Sequence, residues 1–492
     1  MSQFKKPKSF DYNLIVIGAG SAGLVTAYIA AAVKAKVALI EKNKMGGDCL
    51  NYGCVPSKAL IRSAKIMHYA NRAKEFGFKS AKIEFDFAEV MERVQRVIKE
   101  IEPHDSVERY TDLGVECFQG GAMIKSPYEV EVNGKTFTTK AIVIATGARP
   151  FIPDVEGINL VDAKHSENIW NIRTQPKHLV VLGGGPIGAE LAQAFQRLGS
   201  KVTIIERGPR IMGREDDDVS DIIMKRFKNE GVELLTNHTL KSFGKDGEQK
   251  YLIAETDKGE TRIEFDEVLL ALGRRANTKG FGLENLDIEL TKQGTIKADD
   301  YLATNYPNIY VCGDVAGPYQ FTHTASHQAY YAAVNGLFGF LTKNIPFTKA
   351  FKVNYDVIPW ATYTDPEVAT VGLTEKTAKE KGVAYDLTTY GVDDLDRAIA
   401  EEEADGIVKV LTEPGTDRII GATIVSHHAS DMIVEFIAAM KHGFGLNSIL
   451  GTIHIYPTMA EANKSVAGNW KRSQTNPKTL KRLEGLHRWL RG

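Results

Sequence analysis

Two cysteines lie five residues apart within GGDCLNYGCVPSK, residues 46–58, of a chain that has only four cysteines. We expect the chemistry at Cys49 and Cys54, because a neighbouring pair of thiols can store two electrons as a disulfide. In an unbroken α-helix their Cα atoms would lie roughly 8.7 Å apart, whereas a disulfide needs about 4.4 to 6.8 Å. The spacing therefore predicts an irregular turn, which Gly53 permits, before a helix that starts near Pro56. Two unpaired thiols in a buried loop are the alternative.

Two stretches of the chain repeat one pattern, at residues 11–41 and 178–206. Each reads as a strand, a glycine loop, a helix and a second strand that ends in a glutamate. Such glycines allow a tight turn and let a pyrophosphate approach the helix N-terminus, while the terminal acid bonds ribose hydroxyls. The repeat predicts two dinucleotide sites. The residues concerned are Gly18, Gly20, Gly23 and Glu41 in the first stretch, and Gly183, Gly185, Gly188 and Glu206 in the second.

The cysteine segment and the two glycine loops together resemble the pyridine nucleotide-disulfide oxidoreductases, flavoenzymes that include dihydrolipoamide dehydrogenase, glutathione reductase and mercuric reductase. The form of the cysteine segment is most similar to that of mercuric reductase and its relatives, and the resemblance extends over residues 12 to about 466. It implies a redox-active disulfide between Cys49 and Cys54, with Cys54 against the flavin and Cys49 attacking the substrate. It also implies a homodimer whose subunits complete each other's active sites.

The same resemblance implies roles for residues outside the glycine loops. Lys58 would pair with Glu190, and Asp314 would bond the ribityl chain of FAD. Considered alone, Glu190 could be an ordinary first-turn carboxylate stabilised by the helix dipole, and Asp314 a turn residue. The further cofactor-binding residues implied by the family motifs are Gly47, Thr146, Gly147, Gly273, Arg274, Gly313 and Asp314.

The expected fold class is α/β, with two Rossmann-like dinucleotide-binding domains and a C-terminal α+β dimerisation domain. A length of 492 residues allows about three domains. We expect the FAD-binding domain in residues 1–150 and 279–349 and the NAD(P)-binding domain in residues 151–278. The dimerisation domain would cover residues 350–470, followed by a basic tail at 471–492.

The nicotinamide cofactor is expected to be NADH, with NADPH as the alternative. An acid at Glu206 accepts a hydrogen bond from a free ribose 2′-hydroxyl and repels a 2′-phosphate. Arg207 and Arg210 lie close enough in sequence to weaken this preference.

One residue departs from the family pattern. Within HIYPTMAEA, Tyr456 stands where the family has a general acid/base histidine, while Glu461 keeps the position of that histidine's carboxylate partner. A tyrosine with a pKa near 10 is a poor base at pH 7, unlike a histidine near 6.5. His454 is an alternative proton carrier. Since neither Tyr456 nor Glu461 has an evident partner in its own domain, the pattern favours a site shared between subunits.

The electron acceptor is expected to be a small disulfide, a metal ion or a similar molecule. Tyr456 weighs against dihydrolipoamide and, because mercuric reductases are similar there, favours mercuric ion. The sequence lacks the C-terminal cysteine pair and the N-terminal metal-binding module of those enzymes, and no resident metal site is predicted. The alternatives are a flavin-dependent NADH oxidase, transhydrogenase or quinone reductase with an idle disulfide, and a non-catalytic nucleotide-sensing or membrane-associated protein.

Composition and charge limit the classes of partner that the sequence indicates. Lys and Arg total 61 against 62 Asp and Glu, for a net charge of −1, so nothing indicates nucleic acid as a partner. The polar N-terminal start contains no signal-peptide core, and a cytoplasmic location is expected. The tail places Leu480, Leu483, Leu486 and Leu490 near one helical face. Such a basic amphipathic helix can lie on a membrane surface, but packing against its own domain or simple solvation is the favoured interpretation.

Overall fold

The computed structural model describes residues 4–342 and 351–492 of the chain. The fold is mixed α/β, as expected. The chain divides into two units, the first drawn from residues 1–70, 82–205 and 238–354 and the second from residues 71–81, 206–237 and 355–492. The finer division into five parts stays a prediction. Within the described residues, no helix is both long and apolar enough to cross a membrane.

The elements follow one another in chain order. The first group is β1 (Tyr12–Ile17), α1 (Ser21–Ala32), β2 (Val37–Glu41), α2 (Gly47–Asn51), α3 (Cys54–Asn71), α4 (Phe87–Ile101), α5 (Val107–Asp112), β3 (Val115–Gln119), β4 (Met123–Ser126), β5 (Glu129–Val132), β6 (Lys135–Ile144) and β7 (Ala148–Pro150). The second group is β8 (His178–Leu182), α6 (Pro186–Arg197), β9 (Lys201–Glu206), α7 (Asp217–Asn229), β10 (Glu233–Thr236), β11 (Thr239–Asp246), β12 (Gln249–Thr256), β13 (Gly259–Phe265), β14 (Glu267–Leu270), β15 (Arg274–Ala276), β16 (Ile309–Val311) and α8 (Thr322–Thr342). The third group is β17 (Pro359–Thr362), β18 (Glu367–Gly372), α9 (Glu375–Lys381), β19 (Asp386–Gly391), α10 (Asp396–Ala400), β20 (Ile407–Thr412), β21 (Ile419–Ser426), α11 (Ala429–Met432), α12 (Val434–His442), α13 (Leu446–Gly451), α14 (Glu461–Ser473) and α15 (Pro477–Leu490).

The first unit is built on a seven-stranded sheet in which β1 is central. The order is β3-β2-β1-β6-β5-β4, and β16 also pairs with β6. Strands β2, β1, β6 and β16 run parallel. Leu14 and Val16 pack into a core with the alanines of α1 and α8, while Ile15 and Ile17 enter a separate core on the opposite face. Both faces of the parallel strands are thus covered, as such sheets require.

The second glycine loop of the first unit belongs to another parallel arrangement. Strand β8 lies between β9 and β14 and runs parallel to both. Helix α6 follows β8 directly after the loop. The sequence expectation of two Rossmann-like units is therefore confirmed.

The second unit contains a five-stranded antiparallel sheet in the order β17-β18-β21-β20-β19. Helix α14 covers this sheet through Ala462, Val466 and Trp470, which recur every four residues and therefore share one helix face. Helices α11 and α12 contribute further buried side chains to the same core. The expected α+β domain is therefore present.

A buried lysine ties three segments of the second unit together. Lys409 of β20 is fully buried, and its Nζ lies 2.9 Å from Asp216, 2.8 Å from Asp218 and 2.8 Å from Glu375. Burial by itself raises the pKa of Asp216, but the backbone N–H of Lys376 and the ammonium of Lys409 lower it by more. The cluster thus joins the buried Lys409 to the buried Asp216 and to two carboxylates that are partly open to solvent, Asp218 and Glu375.

We predict that Lys409→Met destabilises the second unit by about 3–5 kcal/mol, because it leaves the buried Asp216 carboxylate without its cation. The control is Arg418→Met, since Arg418 forms an exposed pair with Glu413, and such a pair contributes below about 1 kcal/mol. Urea unfolding followed by tryptophan fluorescence measures both variants. Equal losses of stability in the two would show that the cluster contributes no more than a surface ion pair.

Candidate functional site

The first glycine loop is shaped by close backbone contacts. Gly18 has a φ of +100°, and a Cβ there would overlap the carbonyl oxygen of Ala145. A Cβ at Gly23 would overlap the carbonyl oxygen of Gly18. Gly20 is the N-cap residue of α1 and supplies no side-chain cap, so the first N–H groups of that helix are open to an anion.

Two further residues border this loop. Glu41 ends β2, and its carboxylate accepts hydrogen bonds from the backbone N–H groups of Ala19 at 2.7 Å and Asn43 at 2.7 Å. The backbone of Gly47, at the start of α2, approaches Gly20 so closely that a Cβ on Gly47 would lie 2.5 Å from the Gly20 Cα. The acid and the loop therefore meet, as the spacing predicts.

The segments ATGARP, residues 145–150, and GRRAN, residues 273–277, are also brought together. Strand β7 pairs antiparallel with β15, which sets Arg274 opposite Pro150. The Thr146 hydroxyl donates to the Asn277 carbonyl oxygen at 2.8 Å, and the Asn277 N–H donates to the Gly147 carbonyl oxygen at 2.9 Å. These bonds fix Thr146, Gly147 and Arg274 at one edge of the first unit. Gly273 is tied to the same ladder, since its carbonyl oxygen accepts from the N–H of Phe151.

The Arg274 guanidinium and the carboxylates of Asp48 and Asp314 lie together beside this ladder. Asp314 follows Gly313 just after β16, and burial raises its pKa to about 6, although the nearby Arg274 guanidinium opposes the shift. Arg274 also lies 3.3 Å from Asp48 and 3.6 Å from Asp314. Among the described residues, the buried Nε of Arg274 and Oδ1 of Asp48 have no hydrogen-bond partner. Polar groups therefore remain available to a ligand here.

The helix break between α2 and α3 brings the two cysteines together. The chain turns at Tyr52 and Gly53, whose N–H groups both donate to the Asp48 carbonyl oxygen, at 2.8 Å and 2.7 Å. Cys54 is then the first residue of α3. The expected irregular turn is confirmed. The two cysteines are unbridged thiols that lie close enough for each to shift the pKa of the other, and the Cys54 sulfur lies 3.4 Å from the Thr322 hydroxyl.

The contact between the thiols makes them electrostatically unlike. The hydrogen bond from Cys49 lowers the pKa of Cys54 to about 6, and Thr322 and Lys58 lower it further, whereas burial opposes the shift. The same hydrogen bond, with burial, raises the pKa of Cys49 above its ordinary value. The opposite shifts favour Cys54 as the thiol of the pair that loses its proton first.

The other two cysteines take no part in this pair. Both lie in apolar, strand-like stretches of sequence, which predict buried thiols. Cys312 is fully buried beside Thr26, which confirms that prediction. Cys117 of β3 is only partly buried against the core of the first unit, so the prediction is wrong there.

The second glycine loop repeats the geometry of the first. Gly183 has a φ of +102°, and a Cβ at Gly188 would overlap the Gly183 carbonyl oxygen. Gly185 is the N-cap of α6, and the space beside its Cα is open. Glu190 of this helix is buried and accepts from the Lys58 ammonium at 2.8 Å. The pairing of Lys58 with Glu190 implied by the resemblance is therefore present.

Glu206 lies where the pattern predicts, as the last residue of β9. Its carboxylate accepts from the backbone N–H of Gly208 at 2.7 Å. Arg210 nearby lies 2.8 Å from Asp221 and 3.4 Å from Asp217, so its charge is largely compensated within the second unit.

The segment around Tyr456 corrects one sequence expectation. Tyr456 does have a partner in its own unit, because its hydroxyl donates to Asp396 at 2.9 Å, and that bond raises its pKa. Glu461 opens α14 and accepts from the Thr458 N–H at 3.2 Å. His454 lies 3.0 Å from Glu435 through Nε2. Local hydrogen bonds thus occupy both residues that we expected to lack a partner.

Two sequence models of known protein families match this chain. A sequence model described as pyridine nucleotide-disulphide oxidoreductase matches residues 12–329, and one described as the dimerisation domain of that family matches residues 358–467. The chain belongs to the pyridine nucleotide-disulphide oxidoreductase family. Enzymes of this family are FAD-dependent and use pyridine nucleotides, and the chain is accordingly an oxidoreductase.

The relatives of this chain differ from one another in the activity that their names state. The chain is 35% identical over 456 residues to a mercuric reductase of Bacillus cereus, covering 93% of this chain and 71% of the relative. It is 36% identical over 461 residues to a dihydrolipoyl dehydrogenase of Geobacillus stearothermophilus, covering 92% and 95%. The HOCl-induced flavoprotein disulfide reductase RclA of Escherichia coli superposes with a TM-score of 0.81 at 26% identity, covering 93% and 99%. A Cu(II) complex of RclA gives 0.80 at the same identity and coverage.

The first glycine loop of this oxidoreductase fits FAD. The backbone approaches that exclude a Cβ at Gly18 and Gly23, and the uncapped start of α1, suit a pyrophosphate. The buried polar atoms of Asp48 and Arg274 that lack partners suit a polar ligand beside the cysteines. The residues present are therefore compatible with the cofactor of the family.

Sequence reasoning missed several residues of this site. Thr322 contacts Cys54 across 268 residues of sequence, so only the folded chain relates them. Asp396 and Glu435 hold Tyr456 and His454 through tertiary contacts of the same kind. Asp48 could have been found, since it is an acid immediately before Cys49 in the motif.

We predict that Cys54 in the reduced protein alkylates with a midpoint near pH 6, well below its ordinary pKa of 9.0, because Cys49 donates to its thiolate. Cys49→Ala removes the donor and should move the midpoint upward, whereas Cys49→Ser keeps a donor and should move it less. Iodoacetamide labelling across pH, read by mass spectrometry, measures the three proteins. A wild-type midpoint near 9, or equal midpoints in all three, would contradict the pairing.

Proposed function

We propose that the protein is an FAD-dependent NAD(P)H oxidoreductase that passes electrons through Cys49 and Cys54 to a small acceptor. The observation that carries this proposal is the turn at Tyr52 and Gly53, which sets Cys54 at the start of α3 beside Cys49; the pKa of Cys54 is lowered there and that of Cys49 is raised. Such an asymmetric pair suits thiol–disulfide chemistry, which needs a thiolate next to a group that can be protonated.

The cofactors would be held by the residues already described. FAD, when bound, would take hydride from the nicotinamide cofactor and supply the two electrons that open the cysteine bridge. Glu41 would accept bonds from a ribose, and Asp314 from the ribityl chain, in line with the family resemblance. The residues proposed to hold FAD are Gly18, Gly20, Gly23, Glu41, Gly47, Thr146, Gly147, Gly273, Arg274, Gly313 and Asp314. Those proposed to hold the nicotinamide cofactor are Gly183, Gly185, Gly188 and Glu206.

Lys58 and Glu190 would position charge around the thiolate. The Lys58 ammonium lowers the pKa of Cys54, and its hydrogen bond to the buried Glu190 at 2.8 Å fixes where that charge lies. The pair with Glu190 restricts the rotamers of Lys58, so the ammonium stays where it lowers the pKa of Cys54.

The acceptor we favour is a thiophilic metal ion, with a small disulfide as the alternative. Reduction of a disulfide by the dithiol forms the Cys49–Cys54 bridge, breaks the substrate S–S bond and must deliver a proton to each leaving thiolate. Tyr456, whose pKa is raised by its bond to Asp396, is poorly suited to that transfer. A metal ion that binds both sulfurs displaces their remaining proton to solvent and needs no such acid. The two sulfurs would give it two electrons and form the Cys49–Cys54 bridge, which electrons from the nicotinamide cofactor would reopen. The mercuric reductases among the relatives and the Cu(II) complex of RclA support this choice.

A second candidate is a flavin-dependent NADH oxidase, transhydrogenase or quinone reductase in which the disulfide is idle. It is favoured by the same observation on Tyr456, since these reactions require no proton carrier for thiols. The exposed position of Tyr456 and its local bond to Asp396 are compatible with a residue that takes no part in turnover.

A homodimer is the proposed assembly. The second unit matches the dimerisation domain of the family. Ile453, Ile455 and Tyr456 are 94%, 79% and 67% exposed, an unusual amount of apolar surface on one short segment. A second subunit would cover this segment, and the arrangement implied by the family resemblance would also bring Tyr456 and Glu461 to the partner's active site.

To separate the two candidates, NADH oxidation is measured with mercuric ion, cupric ion, lipoamide, glutathione disulfide, quinone and oxygen as acceptors. We expect metal-ion reduction to fall to background in Cys49→Ser and in Cys54→Ser, while Cys117→Ser, a thiol outside the pair, keeps wild-type rates. Undiminished metal-ion reduction in both serine variants, with brisk quinone or oxygen turnover, would establish the second candidate instead.

We predict a lower half-saturation concentration for NADH than for NADPH, because the Glu206 carboxylate repels a 2′-phosphate while Asp221 compensates Arg210. Glu206→Ala should raise the NADH value about tenfold, the loss expected for a hydrogen bond to a charged group. Glu233→Ala, at an exposed carboxylate of β10, serves as the control. A lower half-saturation concentration with NADPH in the wild type would overturn the assignment.

We predict that Tyr456→His raises lipoamide turnover by about 10²-fold, because an imidazole exchanges protons at neutral pH. Asp396 and Glu461 lie near enough to orient the new ring. Tyr456→Phe is the matched control and should leave lipoamide turnover slow. Brisk native turnover that His454→Ala abolishes would instead assign the proton to His454, despite its bond to Glu435.

A further inference from the structure

The last helix of the protein keeps its apolar side chains in solvent. No residue of α15 is buried, and its four leucines are between 44% and 64% exposed. The helix has its own start signals, since the Asn476 side chain accepts from the Lys478 N–H at 2.9 Å and Pro477 occupies the first turn. The sequence favoured packing of this tail on its own domain or simple solvation. The exposure of the leucines leaves the first of these without support.

The helix separates apolar from basic side chains. At about 100° per residue, the leucines occupy an arc of about 120°, and the basic residues occupy an arc of similar width on the opposite side. The leucine arc contains Leu480, Leu483, Leu486 and Leu490, with Thr479 and His487 between them. The basic arc contains Lys478, Lys481, Arg482 and Arg488, and Trp489 lies within it, between Lys478 and Arg482. Such an arrangement is typical of a helix that lies in the plane of a lipid interface.

Charge is unevenly divided between this tail and the remainder of the chain. Residues 471–492 contain seven of the 61 Lys and Arg but one of the 62 Asp and Glu. The tail therefore carries a net charge of +6, and the other 470 residues carry −7. A positive segment on a negative body concentrates its attraction to an anionic surface in one short helix.

We propose that α15 docks the protein onto an anionic membrane surface. The leucines would enter the boundary between headgroups and acyl chains, and the lysines and arginines would contact lipid phosphates. At 14 residues the helix is about 21 Å long, too short for a hydrocarbon core of about 30 Å, so it lies on the membrane. A second copy of the helix is a poorer occupant, because Glu484 is its only acidic side chain and two copies would bring basic rims together.

The test is co-sedimentation of the full-length, FAD-loaded protein with vesicles. Wild-type protein is expected to pellet with phosphatidylcholine vesicles that contain phosphatidylglycerol, to pellet far less with phosphatidylcholine alone, and to be released by salt. Lys481→Gln with Arg488→Gln should weaken binding about 30-fold, the effect of two basic residues near an anionic surface. Leu483→Ser with Leu486→Ser should weaken it comparably.

The matched control is Leu160→Ser with Leu290→Ser, two leucines that are 57% and 47% exposed outside the tail. This variant should bind vesicles as the wild type does. Failure of the wild type to pellet with anionic vesicles, or equal binding by all variants, would overturn the proposal. A smaller hydrodynamic size of the Leu483→Ser, Leu486→Ser protein than of the wild type, both without lipid, would also overturn the proposal. It would show that the leucines pack against a second copy of the chain. NADH oxidation by these variants reports separately on the redox site.

Discussion

The candidate site depends on the break between α2 and α3. A continuous helix would hold the two sulfurs on different turns, but the Asp48 carbonyl oxygen accepts the N–H groups of both Tyr52 and Gly53 and closes the turn. The Trp170 indole N–H then donates to the Tyr52 carbonyl oxygen at 2.9 Å, which ties the turn to a distant part of the first unit. Tertiary contacts of the first unit, as well as the local turn, therefore hold the two cysteines near each other.

The acidified thiol follows from this placement. Cys54 lies at the first position of α3, where the unpaired N–H groups of a helix start favour an anion. Cys49, Thr322 and the Lys58 ammonium all lower the pKa of Cys54 further. Three different elements therefore stabilise the negative charge of the Cys54 thiolate. The pKa of Cys49 is raised in turn, so Cys49 keeps its proton more readily than Cys54 does.

Local sequence patterns predicted the elements whose geometry is set by nearby residues. Both dinucleotide units were predicted because Gly18 and Gly183 must adopt a positive φ between apolar strands. The Lys58–Glu190 pair came from resemblance, since its members lie 132 residues apart. The contacts of Thr322 with Cys54 and of Asp396 with Tyr456 could not be predicted, because nothing local encodes them. Lys409 was missed for a related reason, since a lysine in a strand gives no sign that three carboxylates will surround it.

Reductive titration of the purified protein tests the central claim most directly. If Cys49 and Cys54 form the relay, the oxidised protein takes up two electrons beyond those needed to reduce its flavin. The Cys49→Ser, Cys54→Ser protein then takes up only the electrons of the flavin, and Cys117→Ser behaves as the wild type. Equal uptake by the double variant and the wild type would contradict the account, because the electrons would then reside elsewhere in the protein.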